Sequence, residues 1–293
     1  MSDQQRESWM SRQALDSEAD GAEQTSLLID TSVAHSARRY DYWLGGKDNF
    51  AADRESGDTI AAAFPTVRIA VIENRRFLRR AVAFLAEHAG IRQFLDIGTG
   101  IPTSPNVHEI AQRIAPESRV VYIDNDPIVL AHARALLVSS PDGATAYIDA
   151  DLREPDKIIN DSALRDTLDL SKPVALMLGA ILHFIRDEDD PYGIVSRLVD
   201  TLPDGSYLVV SHATNDFLTP QEVAEIVSGQ WGPFFARSEA EFARFVEGLE
   251  LVPPGITSVA EWRAEAEPEP RPTAADAYTY CAVAKVNRLQ PDV

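Results

Sequence analysis

Past residue 90 the chain alternates short apolar runs with stretches of helical length. The runs are "RQFLDIG", "RVVYID", "ATAYID", "PVALMLG" and "SYLVVSH", and candidate helices fall near 105–115, 127–138, 155–168 and 191–202. Strands that are apolar on both faces must be covered on both faces, and a helix between two of them returns the chain for parallel pairing. The pattern predicts an α/β fold, a mostly parallel sheet with helices on both sides. Near the end, "AYTYCAVAKV" is aromatic and β-branched with no helix after it, which reads as an antiparallel closing strand. "GITSVAEW" precedes it, and "EAEPEPRP" between them is an exposed loop.

Ahead of this region the periodicity is helical from about 53 to 90, with a break at Pro65. Val67, Ala70, Val71, Phe77, Leu78, Ala81 and Leu85 recur at spacings of three and four and mark one buried stripe. Asn74 falls on that stripe, so its amide needs partners, either in the neighbouring backbone or in a ligand. The arginines of "ENRRFLRR" (Arg75, Arg76, Arg79, Arg80) read as the solvated face of the same helix. Residues 1–30 are polar and acidic, with little beyond Leu27, Leu28 and Ile29 to bury, and read as a disordered tail. The expected organisation is a tail (1–30), an N-terminal helical lid segment (31–90) and a main domain (91–288), with 31–288 one structural unit.

The formal net charge is −19, which argues against nucleic acid and anionic membrane as partners, since phosphate binding needs a basic surface. The longest apolar run, "PVALMLGAIL", is far shorter than the ~20 residues of a membrane helix. Cys281 is the only cysteine, so neither an internal disulfide nor a cysteine-built metal site can form. The N-terminus carries no basic-then-apolar signal pattern. These features point to a soluble, cytoplasmic protein.

In sheets of this kind ligands lie outside the carboxyl ends of the strands. The first strand ends "FLDIGTGIPTSPN", where Gly98 and Gly100 allow a tight turn and a close approach of ligand to backbone. A helix opening near Ser104 or Pro105 would turn its amide end toward that ligand. The dinucleotide fingerprint wants a third small residue where this chain has Thr103. Asp96, a poor neighbour for a pyrophosphate, is a good one for a cationic amine, which favours S-adenosylmethionine over NAD. The second strand ends at Asp124, followed by Asn125, near the offset at which an acid bonds ribose hydroxyls, with helix capping as the competing role. After the third strand, Asp151 could accept from an adenine amino group while Leu152 covers the ring; a turn role competes. Gly179 and Ala180 end the fourth strand, where the glycine would leave room beside the sheet. The candidate cofactor set is Asp96, Gly98, Thr99, Gly100, Asp124, Asn125, Asp151, Leu152, Gly179 and Ala180.

Five separated segments, "ARRYDYWLGGKDNFAAD", "FLDIGTGIPTSPNVHE", "VVYIDNDPIVLAHARALL", "YIDADLREP" and "LELVPPGITSVAEW", resemble class I S-adenosylmethionine-dependent methyltransferases. More narrowly, they resemble the actinobacterial S-adenosyl methyltransferases once catalogued as a domain of unknown function. The resemblance covers about residues 30 to 288. It implies a Rossmann-like, seven-stranded sheet with the last strand antiparallel. It also implies cofactor contacts at Asp96, Gly98 and Gly100 for the methionine end, Asp124 for the ribose, and Asp151 with Leu152 for the adenine. It implies no particular acceptor.

"RRYDYWLGGKDNF", residues 38–50, is not a phosphate loop, because Asp41 and Asp48 occupy its first glycine and hydroxyl positions. It reads as a lid over the cofactor, with Tyr42, Gly45, Gly46, Lys47 and Asn49 touching cofactor or substrate. Ordinary core aromatics with a glycine helix stop are the alternative. His183 is the candidate general base and His212 the second, a structural role being open to both. No N/D-P-P-Y/F stretch follows the fourth strand, which together with the acidic surface suggests O- or N-methylation of a small molecule. Asp149 and Asp151 could ligate magnesium, but a turn or base-reading role is preferred and no metal is expected. The alternatives are a non-catalytic S-adenosylmethionine-binding module and, less favoured, an NAD(P)-dependent oxidoreductase.

Overall fold

The computed structural model describes residues 30–136, 138–230 and 232–287. The expected tail, apart from Asp30, lies outside the described residues. Among the described residues three helices precede the first strand: α1 (Ser36–Trp43), α2 (Ala51–Ala63) and α3 (Val67–Glu87). Pro65 falls between α2 and α3, as a residue that ends helices should. Strands and helices then alternate through β1 (Gln93–Ile97), α4 (Val107–Ile114), β2 (Arg119–Asp124), α5 (Pro127–Leu136) and β3 (Ala144–Asp149). They continue through α6 (Pro155–Asn160), α7 (Ser162–Thr167), β4 (Ala175–Gly179), α8 (Pro191–Val199) and β5 (Tyr207–Ala213). The one helix expected over 155–168 is two, because Asp161 turns the chain and its side chain accepts the Ala163 N–H at 2.8 Å to start α7. The remainder comprises α9 (Pro220–Val227), α10 (Glu239–Ala243), β6 (Glu250–Leu251), β7 (Thr257–Ser258), α11 (Ala274–Ala277) and β8 (Thr279–Lys285).

The sheet runs β3-β2-β1-β4-β5-β8-β6, with β7 also on β8. Strands β1 to β5 are parallel, and β8 pairs antiparallel with β5, placing Ser211 opposite Cys281. Among the described residues the path holds the seven strands expected, with β7 an eighth beside it; β6 and β7 have two residues each and are antiparallel to β8.

Successive residues of each strand feed opposite cores. Leu95, Val121, Leu176, Leu208 and Ala282 join one cluster; Phe94, Val120, Ala175, Val209 and Val283 join the other. That two-sided burial is why the strands read as unbroken apolar runs. In the second core, Phe77, Ala81 and Leu85 of α3 pack beside the fully buried Trp262, whose ring meets Phe77 edge-on at 5.5 Å.

The arginines of α3 are not a solvated face. Arg80 donates to Trp262 O, Val259 O and Glu267, Arg76 pairs with Glu73, and Arg75 and Arg79 donate to the carbonyls of Thr103 and Ser104. Three of the four thus bind the loops around the helix. No helix among the described residues is long and apolar enough to cross a membrane.

Order reverses between β1 and β4, since the chain runs outward from β1 to β3 and then resumes at β4 on the other side. A crevice opens at such a switch point.

Candidate functional site

A cavity of about 370 Å³ occupies that crevice. All ten candidate cofactor residues line it, because parallel strands bring their carboxyl ends to one edge. Its opposite wall comes from residues 34–37 and 39–41 around α1 and from Asn74, Arg75 and Leu78 of α3.

The turn after β1 is held from β2. Gly98 and Thr99 donate to Ile123 O, and Gly100 N donates to Asp124 Oδ2 at 2.9 Å. Gly98 and Gly100 have φ of +72° and +66°, which favours glycine at both. At Gly98 a Cβ would also meet the Ile181 side chain at 2.6 Å. The other oxygen of Asp124 accepts Asp126 N at 2.9 Å. Its carboxylate therefore shapes the turn from both oxygens, and burial raises its pKa above the usual range.

Asp96 is buried at the foot of the turn with one hydrogen bond, from the Thr99 hydroxyl at 3.1 Å. Burial pushes its carboxyl up to about 6, against the pull of the nearby Arg75. Arg75 donates to Thr103 O at 2.6 Å, yet its buried Nε has no hydrogen-bond partner. An under-paired carboxylate and an under-paired guanidinium thus face one cavity, as a ligand bearing both an ammonium and a carboxylate would require. Sequence reading missed Arg75; its signal is position, four residues past Val71 and three before Leu78 on the buried stripe.

At the far end, Asp151 accepts from Asn125 Nδ2 at 3.1 Å and from the backbone and side chain of Arg153. The Arg153 pair holds its carboxyl down at about 2. The turn role therefore occupies oxygens assigned to adenine, while Leu152 is buried at the cavity wall. Gly179 makes room for α3 rather than open space, since a Cβ there would meet Leu78 at 2.9 Å. Asp149 is exposed, and no metal-holding group of His, Cys, Asp and Glu occurs among the described residues.

A second cavity, about 130 Å³, adjoins the first and shares Ser36, Arg39, Tyr40, Asn74, Ala180, Phe184 and Gly232 with it. Its own wall includes Trp43, Phe64, Val71, Phe234, Tyr278 and His183. His183 is buried in the short turn Leu182–Phe184, between the rings of Phe184 and Phe234 at 4.4 and 4.7 Å. Burial, then the charges of His212 and Arg237, hold it well below the usual histidine range, so the ring is neutral. Its Nδ1 accepts Ala213 N at 3.4 Å, which places the remaining ring proton on Nε2. This corrects the expectation of a general base: the free nitrogen is a donor. His212 lines neither cavity; Nδ1 lies 2.7 Å from Ala213 O and Nε2 accepts from Arg237 at 2.7 Å.

The segment after α1 also differs from expectation. None of Tyr42, Gly45, Gly46, Lys47 and Asn49 lines either cavity. The face turned inward is Ser36, Arg39, Tyr40 and Trp43, at helical spacings of three and four. Tyr42 falls off that row, donating to Asp58 Oδ1 at 2.7 Å with Arg68 over its ring. Gly45, at φ +82°, follows the helix end as a stop. Gly46 abuts Asp41, with a Cβ position 1.9 Å from Oδ1, and Asn49 donates to Asp41 Oδ2 at 2.8 Å. Lys47 is exposed. The glycine-lysine stretch wraps the buried Asp41, which itself lines the larger cavity.

Asn74 finds its partners in side chains and not in the neighbouring backbone. Its Nδ2 donates to Tyr40 Oη at 2.9 Å, and its Oδ1 accepts from the Ser211 hydroxyl at 2.6 Å.

A profile of S-adenosyl methyltransferases matches residues 22–287 of the chain. A DUF574 family protein from Streptomyces avermitilis is 53% identical, with 87% of this chain and 98% of that one covered and a TM-score of 0.82. A Thermobifida fusca protein, provisionally described as a methyltransferase, is 38% identical over 88% of this chain and 97% of its own, with a TM-score of 0.81. No curated protein matches the chain.

Proposed function

The chain belongs to the S-adenosyl methyltransferase family, and from that premise we propose that it methylates a small acceptor held in the smaller cavity, with S-adenosylmethionine in the larger one. The observation that carries this reading is the shared wall. Tyr40, Asn74 and Ala180 border both cavities, so a molecule in each would meet there.

When bound, the cofactor would supply an electrophilic methyl on a sulfonium, its thioether leaving with the carbon–sulfur electron pair as an acceptor lone pair bonds the methyl carbon. Everything else falls to the protein: alignment of the two partners and exclusion of water. Asp96 would pair with the ammonium and Arg75 with the carboxylate of the methionine end. The glycine turn admits the ligand close to the backbone, and Leu152 offers an apolar surface to the base. Asp124 would reach the ribose only while keeping the turn, since both its oxygens already accept backbone N–H groups.

Calorimetric titration of the full chain with S-adenosylhomocysteine tests the cofactor half. Saturable binding, weakened at least about tenfold by Asp96→Ala, is expected for loss of a charge-assisted contact. No heat from the wild-type chain would overturn the reading. Tight binding with no methyl transfer to any acceptor would instead favour a binding module.

A further inference from the structure

The smaller cavity also constrains the acceptor's chemistry, an argument that rests on the two-cavity reading above. Its wall is aromatic and aliphatic, and among the described residues lining it there is no Asp or Glu. Arg39 is the one formally charged side chain among them, and it stands on the wall common to both cavities. One of its N–H groups is directed to Ser56 Oγ at 3.1 Å. His183 adds a neutral ring whose Nε2 proton no described residue accepts. The volume of about 130 Å³ is close to the ~150 Å³ of an apolar cavity that takes up benzene.

We infer that the acceptor is a single-ring aromatic molecule whose reacting atom is an acidic oxygen, of a phenol or a carboxylic acid, bound as the anion. An arginine at the junction and a donor from His183 suit an oxyanion. A protonated amine would enter a wall with no Asp or Glu among its described residues and a guanidinium to oppose it. The oxyanion brings a lone pair and no proton. As its oxygen bonds the methyl carbon, the carbon–sulfur bond breaks, the electron pair stays on sulfur, and the negative and positive charges cancel. No base is needed, which agrees with a buried imidazole that offers a proton instead of taking one.

The test titrates the full chain, saturated with S-adenosylhomocysteine, with 4-nitrophenol, benzoate and benzylamine at pH 8. Saturation is measured first, so a failure of cofactor binding is seen separately from a failure of this inference. One or both oxygen acids should bind at least about tenfold tighter than benzylamine, as expected for a desolvated charge pair. Arg39→Met should remove that preference, and Ala70→Phe, which fills the smaller cavity alone, should block the probes while S-adenosylhomocysteine affinity holds. If Arg39→Met fails to fold, His183→Leu replaces it and should weaken the oxygen acids selectively. Which acid binds distinguishes a phenol from a carboxylic acid. Benzylamine binding as tightly as the acids, no acid binding at all, or a preference unchanged in the variants would overturn the inference.

Discussion

The Ser211 hydroxyl donates to Asn74 Oδ1 across 2.6 Å, joining residues 137 positions apart in the chain. The link belongs to a buried relay. Ala180 N donates to Ser211 Oγ at 3.0 Å, Asn74 Nδ2 to Tyr40 Oη at 2.9 Å, and the Tyr40 hydroxyl to Val71 O at 3.1 Å. Helix α1, helix α3 and the ends of β4 and β5 are thereby locked around the border of the two cavities.

Ser211→Ala strips the donor from Asn74 Oδ1, while Ala180 N keeps its second acceptor, Ser211 O at 3.2 Å. Leaving such a group unpaired costs about 1–3 kcal/mol, to be read as a lower urea midpoint with an unchanged slope. Asn74 also holds Tyr40 on the cavity wall, so a shift of its amide should lower S-adenosylhomocysteine affinity alongside stability.

Asp96 should make cofactor binding depend on pH. Pairing with an ammonium needs the carboxylate, whose pKa in the ligand-free protein is raised to about 6 by burial. Affinity should be flat above that pH and decline below it. Ligand-free stability runs the other way. The folded protein holds this proton more tightly than the unfolded chain, so stability drops as pH climbs from the ordinary 3.8 through about 6. Asp96→Asn should flatten both profiles, measured by calorimetry and denaturant melts across pH 4.5–8.

Gly46→Val tests the packing of Asp41. The new Cβ would fall 1.9 Å from Asp41 Oδ1, so Asp41 and its Asn49 partner must shift, at about 1–3 kcal/mol for overpacking. Thermal melting should show the loss directly. Gly45 faces open space at φ +82°, and Gly45→Asn, a residue that tolerates this conformation, should change little.

Arg237 positions the turn that carries His183. Its buried guanidinium donates to Leu182 O, Ile185 O, Asp187 and His212 Nε2 and lies over the Tyr192 and Phe245 rings. Arg237→Met should cost about 1–3 kcal/mol from unpaired carbonyls. It should also raise the pKa of His212, now about 3 through burial and this charge, though not to 6.5 because burial remains. Ring proton shifts across a pH titration report the change, while Arg237→Lys should restore only part of the original value.

The alternation of strands and helices was legible because each strand is buried on both faces and so carries an unbroken apolar run. The ten residues at the strand ends were legible as a group for a related reason: parallel pairing converges those ends whatever the loops do. The two-residue strands β6 and β7 were not, since they exist only by pairing with β8 and no periodicity fits in two positions. Arg75 was misread because a cation on an amphipathic helix looks solvated until the loop at Thr103 is folded against it. The lid residues were misplaced for want of the helix phase, which the row Ser36, Arg39, Tyr40 and Trp43 records.

Order along the chain alone thus determined the parallel strands β1 to β5 and the sheet-side wall of the larger cavity, since local hydrophobic patterning suffices for both. Tertiary packing alone decided the opposite wall, the charge of the smaller cavity and the proton position on His183. Those depend on which distant side chains share one low-dielectric space, and hydrogen bonds across more than a hundred residues leave no local trace.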